Sequence, residues 1–202
     1  MLKIAFLVLM LAGLKDRESL NFSYCVEQGF DDSCGLSALA CLMDKYWNWP
    51  CDELSLAADY LATRPEVEAL QVSLAAMAEI LDNNGFIYKA FKMNHEELIR
   101  ATESHAPIIV HYSKPEGHFA LALSANERWI LAADPAEGCL FIERNSFEDR
   151  WSGAVLVAMG TKTEKNQVLL SEAVNNAAAR LALLERASSA NSRLAWRLRR
   201  ME

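Results

Sequence analysis

The chain has 202 residues, 52% of them hydrophobic, and a formal net charge of −7. That is apolar material for one substantial core and about one full domain. The acidic balance excludes a nucleic-acid binder, which needs a basic face against phosphate, and no internal repeat or low-complexity tract is visible.

In chain order, Met1-Leu-Lys3 precedes an apolar run, Ile4 to Leu14, that is shorter than the roughly 20 residues a membrane-spanning helix needs. A positive charge and an apolar stretch of that size predict a secretory signal over residues 1–20, and hence an exported, periplasmic protein. Leu11-Ala-Gly13 supplies small residues without a clean Ala-x-Ala, and a buried N-terminal element is the alternative. Cys34 to Trp47 reads as an amphipathic helix, with Leu36, Leu39, Ala40, Met43, Tyr46 and Trp47 at 3.6-residue spacing. Asn48-Trp-Pro50 ends it. A second helix fits Asp52 to Ala62, and a third, capped by Ser73, runs from Leu74 to Leu81 and stops before Gly85.

The pattern then turns to strands: Phe86 to Met93, Pro107 to Tyr112, His118 to Ser124, Trp129 to Asp134, Cys139 to Glu143 and Ala154 to Met159. Short helices are expected at Glu96 to Ser104 and Phe147 to Trp151, and Ala125-Asn-Glu127 reads as a hairpin turn. Helices followed by a mostly antiparallel sheet define an α+β domain over residues 22–160. Thr161 to Asn166 is linker-like. Val168 to Arg186 is helical, Ser188 to Ser192 interrupts it, and Arg193 to Arg200 gathers four arginines around Leu194, Trp196 and Leu198. This tail, residues 161–202, fits an acidic partner, an anionic membrane surface, or packing on its own domain.

Cys34 is the residue with the most suggestive surroundings. It opens the first helix, where unpaired N–H groups and the helix dipole favour a thiolate. Gln28 lies six residues before it, and Gly35 beside it leaves room for substrate backbone. His118 begins a buried strand and Asp134 ends the next one, so adjacent antiparallel strands bring the carboxylate to the imidazole. Nucleophile, base, orienter and an amide for the oxyanion are thus Cys34, His118, Asp134 and Gln28. Taken singly, each is an ordinary packing or turn residue; the ordered set carries the argument. The other thiols, Cys25, Cys41, Cys51 and Cys139, form no zinc spacing, and the odd total leaves one cysteine unpaired even if others are bridged. His95, His105 and His111 show no HExxH spacing. No metal or other cofactor is expected.

Gln28-x5-Cys34-Gly-Leu-Ser-Ala-Leu, Gly117-His-Phe119 and Asp134-Pro135 together resemble the C39 cysteine peptidases. Pro107-Ile-Ile-Val110 and Phe147-x3-Trp151-Ser-Gly153 extend the likeness over Tyr24 to Gly160. The resemblance implies a papain-like fold, Cys34 as nucleophile, His118 as general base and acid, Asp134 as orienter and Gln28 as oxyanion donor. It also implies a peptide or protein substrate with small residues before the cut. Familiar members are N-terminal domains of ABC transporters, whereas this chain has no Gly-x4-Gly-Lys-Ser/Thr. It resembles instead the standalone, exported type found beside bacterial secretion systems, including those for functional amyloid. Members often carry aspartate directly before the cysteine; here Ser33 stands there, with Asp32 one place earlier. The expected function is endopeptidase cleavage of a leader peptide or secreted protein. The alternatives are a non-catalytic peptide-binding module and acyl transfer by the same apparatus.

Overall fold

The computed structural model describes residues 22–66 and 69–198, with the side chains of the last helix described to Leu183 and again at Arg186. The expected signal segment and the side chains of the arginine-rich stretch lie outside the described residues. Among those described, no helix is long and apolar enough to cross a membrane, and all five cysteines are free thiols.

The chain opens on an irregular segment and enters α1, Cys34–Ala40, which continues as a π-helical stretch over Cys41–Tyr46. Helix α2 spans Glu53–Thr63, capped by Asp52 in a capping box with Ser55. Helix α3 spans Leu74–Asn83, with the Ser73 hydroxyl accepting from the Ala76 N–H. It ends before Gly85, whose φ of 76° is the left-handed conformation expected of a helix-terminating glycine. Then follow β1 (Phe86–Lys92), α4 (His95–His105), β2 (Ile108–Tyr112), β3 (His118–Ala125), β4 (Trp129–Asp134), β5 (Gly138–Glu143), α5 (Arg144–Arg150), β6 (Trp151–Gly160) and α6 (Gln167–Leu198).

The six strands form one sheet in the order β1-β6-β2-β3-β4-β5, every neighbouring pair antiparallel. Its centre is buried on both faces, which explains why β3 reads as a nearly unbroken apolar run. Phe119, Leu121 and Leu123 face α1, α2 and α3, while Ala120 and Ala122 face α4 and α5 with Leu98 and Phe147. The small residues on the second face let α4 lie close against β3. The result is the expected α+β architecture.

Two expectations need correction. Helix α1 is not amphipathic: every residue from Cys34 to Met43 is buried, because Gly35, Ser37, Ala38 and Ala40 face protein as fully as the leucines do. And α6 runs without a break through residues 188–192, since the serines and asparagine there have only a modest helix cost. The linker-like segment is firmly held. The Asn166 N–H donates to the Tyr46 carbonyl at 2.8 Å, its side-chain amide donates to the Lys45 carbonyl at 3.2 Å, and its Oδ1 caps the Leu169 N–H. Beyond it Ala173 is buried, and Leu169, Leu170, Val174 and Ala177 pack on the core.

Gly35 has a different role from the one its position suggests. A Cβ there would lie 2.3 Å from Val72 Cγ2 and 3.3 Å from Phe119 Cδ2, so the missing side chain admits the protein's own core rather than substrate backbone. Gly35→Ala should therefore cost about 1–3 kcal/mol through overpacking. Urea denaturation of the variant, read as a lowered midpoint at unchanged slope, checks this; an unchanged midpoint would contradict it.

Candidate active site

The site lies where the start of α1 meets the start of β3. Ser33 precedes the helix but does not cap it; its hydroxyl donates to the Phe30 carbonyl at 2.7 Å and closes the turn. Asp32, one place earlier, takes φ of 61°, a conformation that aspartate tolerates better than most residues. This turn sets Cys34 as the first helical residue, whose N–H has no carbonyl one turn back within the helix. Cys34 is 8% exposed.

His118 opens β3 opposite Tyr112 of β2. The Tyr112 ring is stacked on the imidazole, with centroids 6.0 Å apart and planes 9° from parallel. The Arg150 guanidinium lies over the Tyr112 ring, 5.1 Å from its centroid. Asp134, at the end of β4, is 5% exposed. Its Oδ1 stands 2.9 Å from His118 Nε2 and also accepts the Ala136 N–H at 2.9 Å. Two contacts therefore hold one carboxylate oxygen in place. With Nε2 engaged by Asp134, Nδ1 is the ring atom left for the Cys34 thiol, to which His118 is also hydrogen-bonded.

The electrostatics follow from these neighbours. Burial acts most strongly on His118 and disfavours its charged form. The hydrogen bonds to Asp134 and Cys34, and their negative charge, act the other way and together prevail, so the imidazole is pushed up to about 10. His111, on β2, responds differently: burial, then the nearby His118 charge, lowers it. Its Nδ1 is 3.1 Å from the Ser152 hydroxyl, and its ring lies against Phe119. It has no carboxylate partner of the kind that His118 has. His95 is engaged elsewhere, with Nε2 2.9 Å from the Asn126 carbonyl.

Gln28 reaches the same place from the irregular N-terminal segment. Its backbone N–H donates to the Pro135 carbonyl at 2.9 Å, which ties it to the turn carrying Asp134. The adjacent Gly29 N–H donates to Glu53 Oε2 at 2.8 Å, anchoring the segment to α2. Gln28 Oε1 is buried with no hydrogen-bond partner among the described residues. All four candidate residues line one polar cavity of about 290 Å³ that also contains Lys114 and Arg150. A second cavity of about 400 Å³, walled by Val72, Leu74, Phe119 and His111, opens on the other side of Cys34. The thiol, Gln71 and Gly117 belong to both. Among the described residues, no cluster of three or more His, Cys, Asp or Glu side chains is placed to hold a metal ion.

The expectations missed the walls of this cleft. Val72 and Gln71 come from the loop before α3, which carries no chemical signature. Tyr112 and His111 were legible only as strand residues, although a tyrosine and a histidine at the end of an apolar strand hint at a polar boundary.

The chain matches the profile of the peptidase C39 family over residues 23–163. It is 26% identical over 153 residues to a protein of Pseudomonas fluorescens described as a probable functional amyloid protease, FapD, covering 74% of this chain and 66% of that protein. The corresponding Pseudomonas aeruginosa protein is also 26% identical, over 154 residues. The chain thus spans about two thirds of the length of these relatives. Among solved structures, the peptidase domain of Streptococcus ComA, a bifunctional ABC transporter, superposes with a TM-score of 0.56 at 18% identity, covering 68% of this chain and 99% of that domain. A double glycine motif protease from an AMS/PCAT transporter, in complex with the leader peptide, gives a TM-score of 0.53 at 22% identity over 68% of this chain and 91% of that one. At such identities the superpositions speak to fold alone, whereas the profile covers most of the sequence, including the stretch from Gln28 to Asp134: the chain belongs to the peptidase C39 family of cysteine peptidases.

Proposed function

We propose that the protein is an endopeptidase in which Cys34, His118 and Asp134 act as a triad and Gln28 assists. The observation that carries this is the His118 imidazole, shared between the Cys34 thiol and Asp134 Oδ1 at 2.9 Å. Within the pair His118 carries the proton, drawn away from the Cys34 thiol as the attack begins. The thiolate attacks the scissile carbonyl, and the Cys34 N–H and the Gln28 amide receive the developing oxyanion. His118 then protonates the leaving amine, and in the second half it takes a proton from the water that releases the acyl-enzyme.

The substrate in this reading is a leader peptide or secreted protein with small residues before the cut, handled by a bacterial secretion or amyloid-export system in which the protein is exported. Support comes from the relatives described as functional amyloid proteases and from the shared fold of a double-glycine protease seen with its leader peptide. A secretion-system partner gripping the C-terminal helix belongs to the same proposal.

Cys34→Ser should abolish processing of a co-expressed amyloid subunit or leader-bearing precursor while the two proteins still co-purify. Processing by the variant would rule out Cys34 as nucleophile, and recovery of wild-type protein only from the cytoplasm would rule out export. Gln28→Ala should lower kcat by about 10²–10³ with little change in KM; an unaltered kcat would remove Gln28 from the oxyanion hole.

The pH dependence has a definite sign. Since the folded pKa of His118 lies near 10, above the ordinary 6.5, the imidazolium and its contribution to stability are fully present below about 6.5. They are lost as pH rises through about 10. The alkaline limb of kcat/KM should fall there. Asp134→Asn should move that limb to lower pH, as should be visible in the rate of thiol alkylation at Cys34. An unmoved limb would mean that Asp134 does not sustain the charge on His118.

A further inference from the structure

Behind the site lie thiols that the proposed chemistry does not use. Cys25 and Cys41 are 2% and 0% exposed. Cys25 Sγ contacts the Val26 carbonyl at 3.4 Å, and Cys41 Sγ contacts the Tyr24 carbonyl at 3.8 Å. Cys41 Sγ thus rests against the peptide that leads into Cys25, and its thiol acts directly on that of Cys25. They meet from different parts of the fold: Cys25 from the irregular segment that carries Gln28, Cys41 from the start of the π-helical stretch that continues α1, about two turns beyond Cys34. The Tyr46 hydroxyl donates to the same Tyr24 carbonyl at 2.7 Å and fixes the peptide between them. Cys139 approaches from β5 but has no hydrogen bond to either sulfur among those described.

We infer that Cys25 and Cys41 are a disulfide pair, joined by exchange with a low-molecular-weight or protein disulfide as the N-terminal segment docks. The Cys25 thiolate attacks the donor disulfide and displaces one thiolate. The Cys41 thiolate then attacks the Cys25 sulfur and displaces the second. Two electrons leave the cysteines, the donor is reduced to two thiols, and both cysteine protons end on them.

With Cys41 Sγ on the peptide that leads into Cys25, the two thiols need little movement to bond. The timing follows from burial. In the folded protein the hydrogen bond to Cys41, and then desolvation, push the Cys25 thiol up, so the docked thiol is a poor nucleophile. Exchange therefore belongs to the docking step. The closed loop, roughly 15 residues long, is of the size for which a cross-link restricts the unfolded chain appreciably, and it contains both Gln28 and Cys34. The segment bearing Gln28 has no helix or strand of its own, so the bond secures the amide relative to the thiol. The pairing is independent of the peptidase reading; only its consequence for turnover rests on it.

The test starts from the full chain, unfolded in reductant and refolded in mixed reduced and oxidised glutathione. Remaining thiols are alkylated and the protein is digested without reduction. Mass spectrometry should find Cys25 linked to Cys41, with Cys34, Cys51 and Cys139 alkylated. The oxidised sample should melt about 5–10 °C above the same sample kept reduced. Linkage of Cys139 to either cysteine, or alkylation of all five, overturns the pairing. A linked pair with an unchanged melting temperature overturns the stiffening. Cys139→Ala should retain the bond and the shift, and their loss in that variant also overturns the pairing. A cystine found in a protein inactive on every peptide counts against the peptidase reading alone.

Discussion

The seating of the first turn of α1 on β3 sets the separation of thiol and imidazole, and most of the structure serves that contact. Gly35 follows Cys34 and Phe119 follows His118, and a Cβ on Gly35 would lie 3.3 Å from the Phe119 ring. A close packing position and the thiol–imidazole pair thus sit one residue apart on both elements. Because α1 is buried on every side and β3 is central in the sheet, neither has room to shift without disturbing the whole core. Sites carried on such elements hold their geometry better than sites carried on loops. The one component that arrives on irregular chain, Gln28, is tied to the Asp134 turn and, through Gly29, to Glu53.

Electrostatically, the imidazole is caught between two opposing influences. Removal from water favours its neutral form, and the two anionic or hydrogen-bonding partners favour the charged one. The partners prevail because both reach the ring atoms directly, whereas 26% of the His118 side chain remains in contact with solvent and limits desolvation. The nearby His111 shows what the same region does to an imidazole without a carboxylate. Tyr112 completes the arrangement by covering the face of His118, leaving the ring little freedom to turn away from Cys34.

Much of this was legible in the residues themselves. Strand β4 was readable to its ends because Asn126 and Pro135 bracket it, and the near-continuous apolar runs of β2 and β3 announced a buried sheet. The proximity of His118 and Asp134 followed from two antiparallel strands with a short turn. What escaped reading was tertiary. Hydrophobic periodicity registers leucines and tyrosines but cannot say that Gly35, Ser37 and Ala38 also face protein, so a central helix looked one-sided. For the same reason Gly35 suggested open space when it marks a tight contact with Val72, a residue far along the chain. The cleft walls at Gln71 and Tyr112 likewise depend on chain closure rather than on local pattern.

The course of α6 has a consequence for how the molecule can be held. Asn166 fastens its start to the end of the π-helical stretch beyond α1, remote from Cys34. From there Val174, Ala178 and Leu181 pass Asn126 and Trp129, at the opposite end of β3 from His118. The long helix is therefore a handle on the far pole of the domain. Anything grasping its outer turns and anything lying in the cleft occupy separate space, so tethering the protein and feeding it a chain are sterically compatible operations.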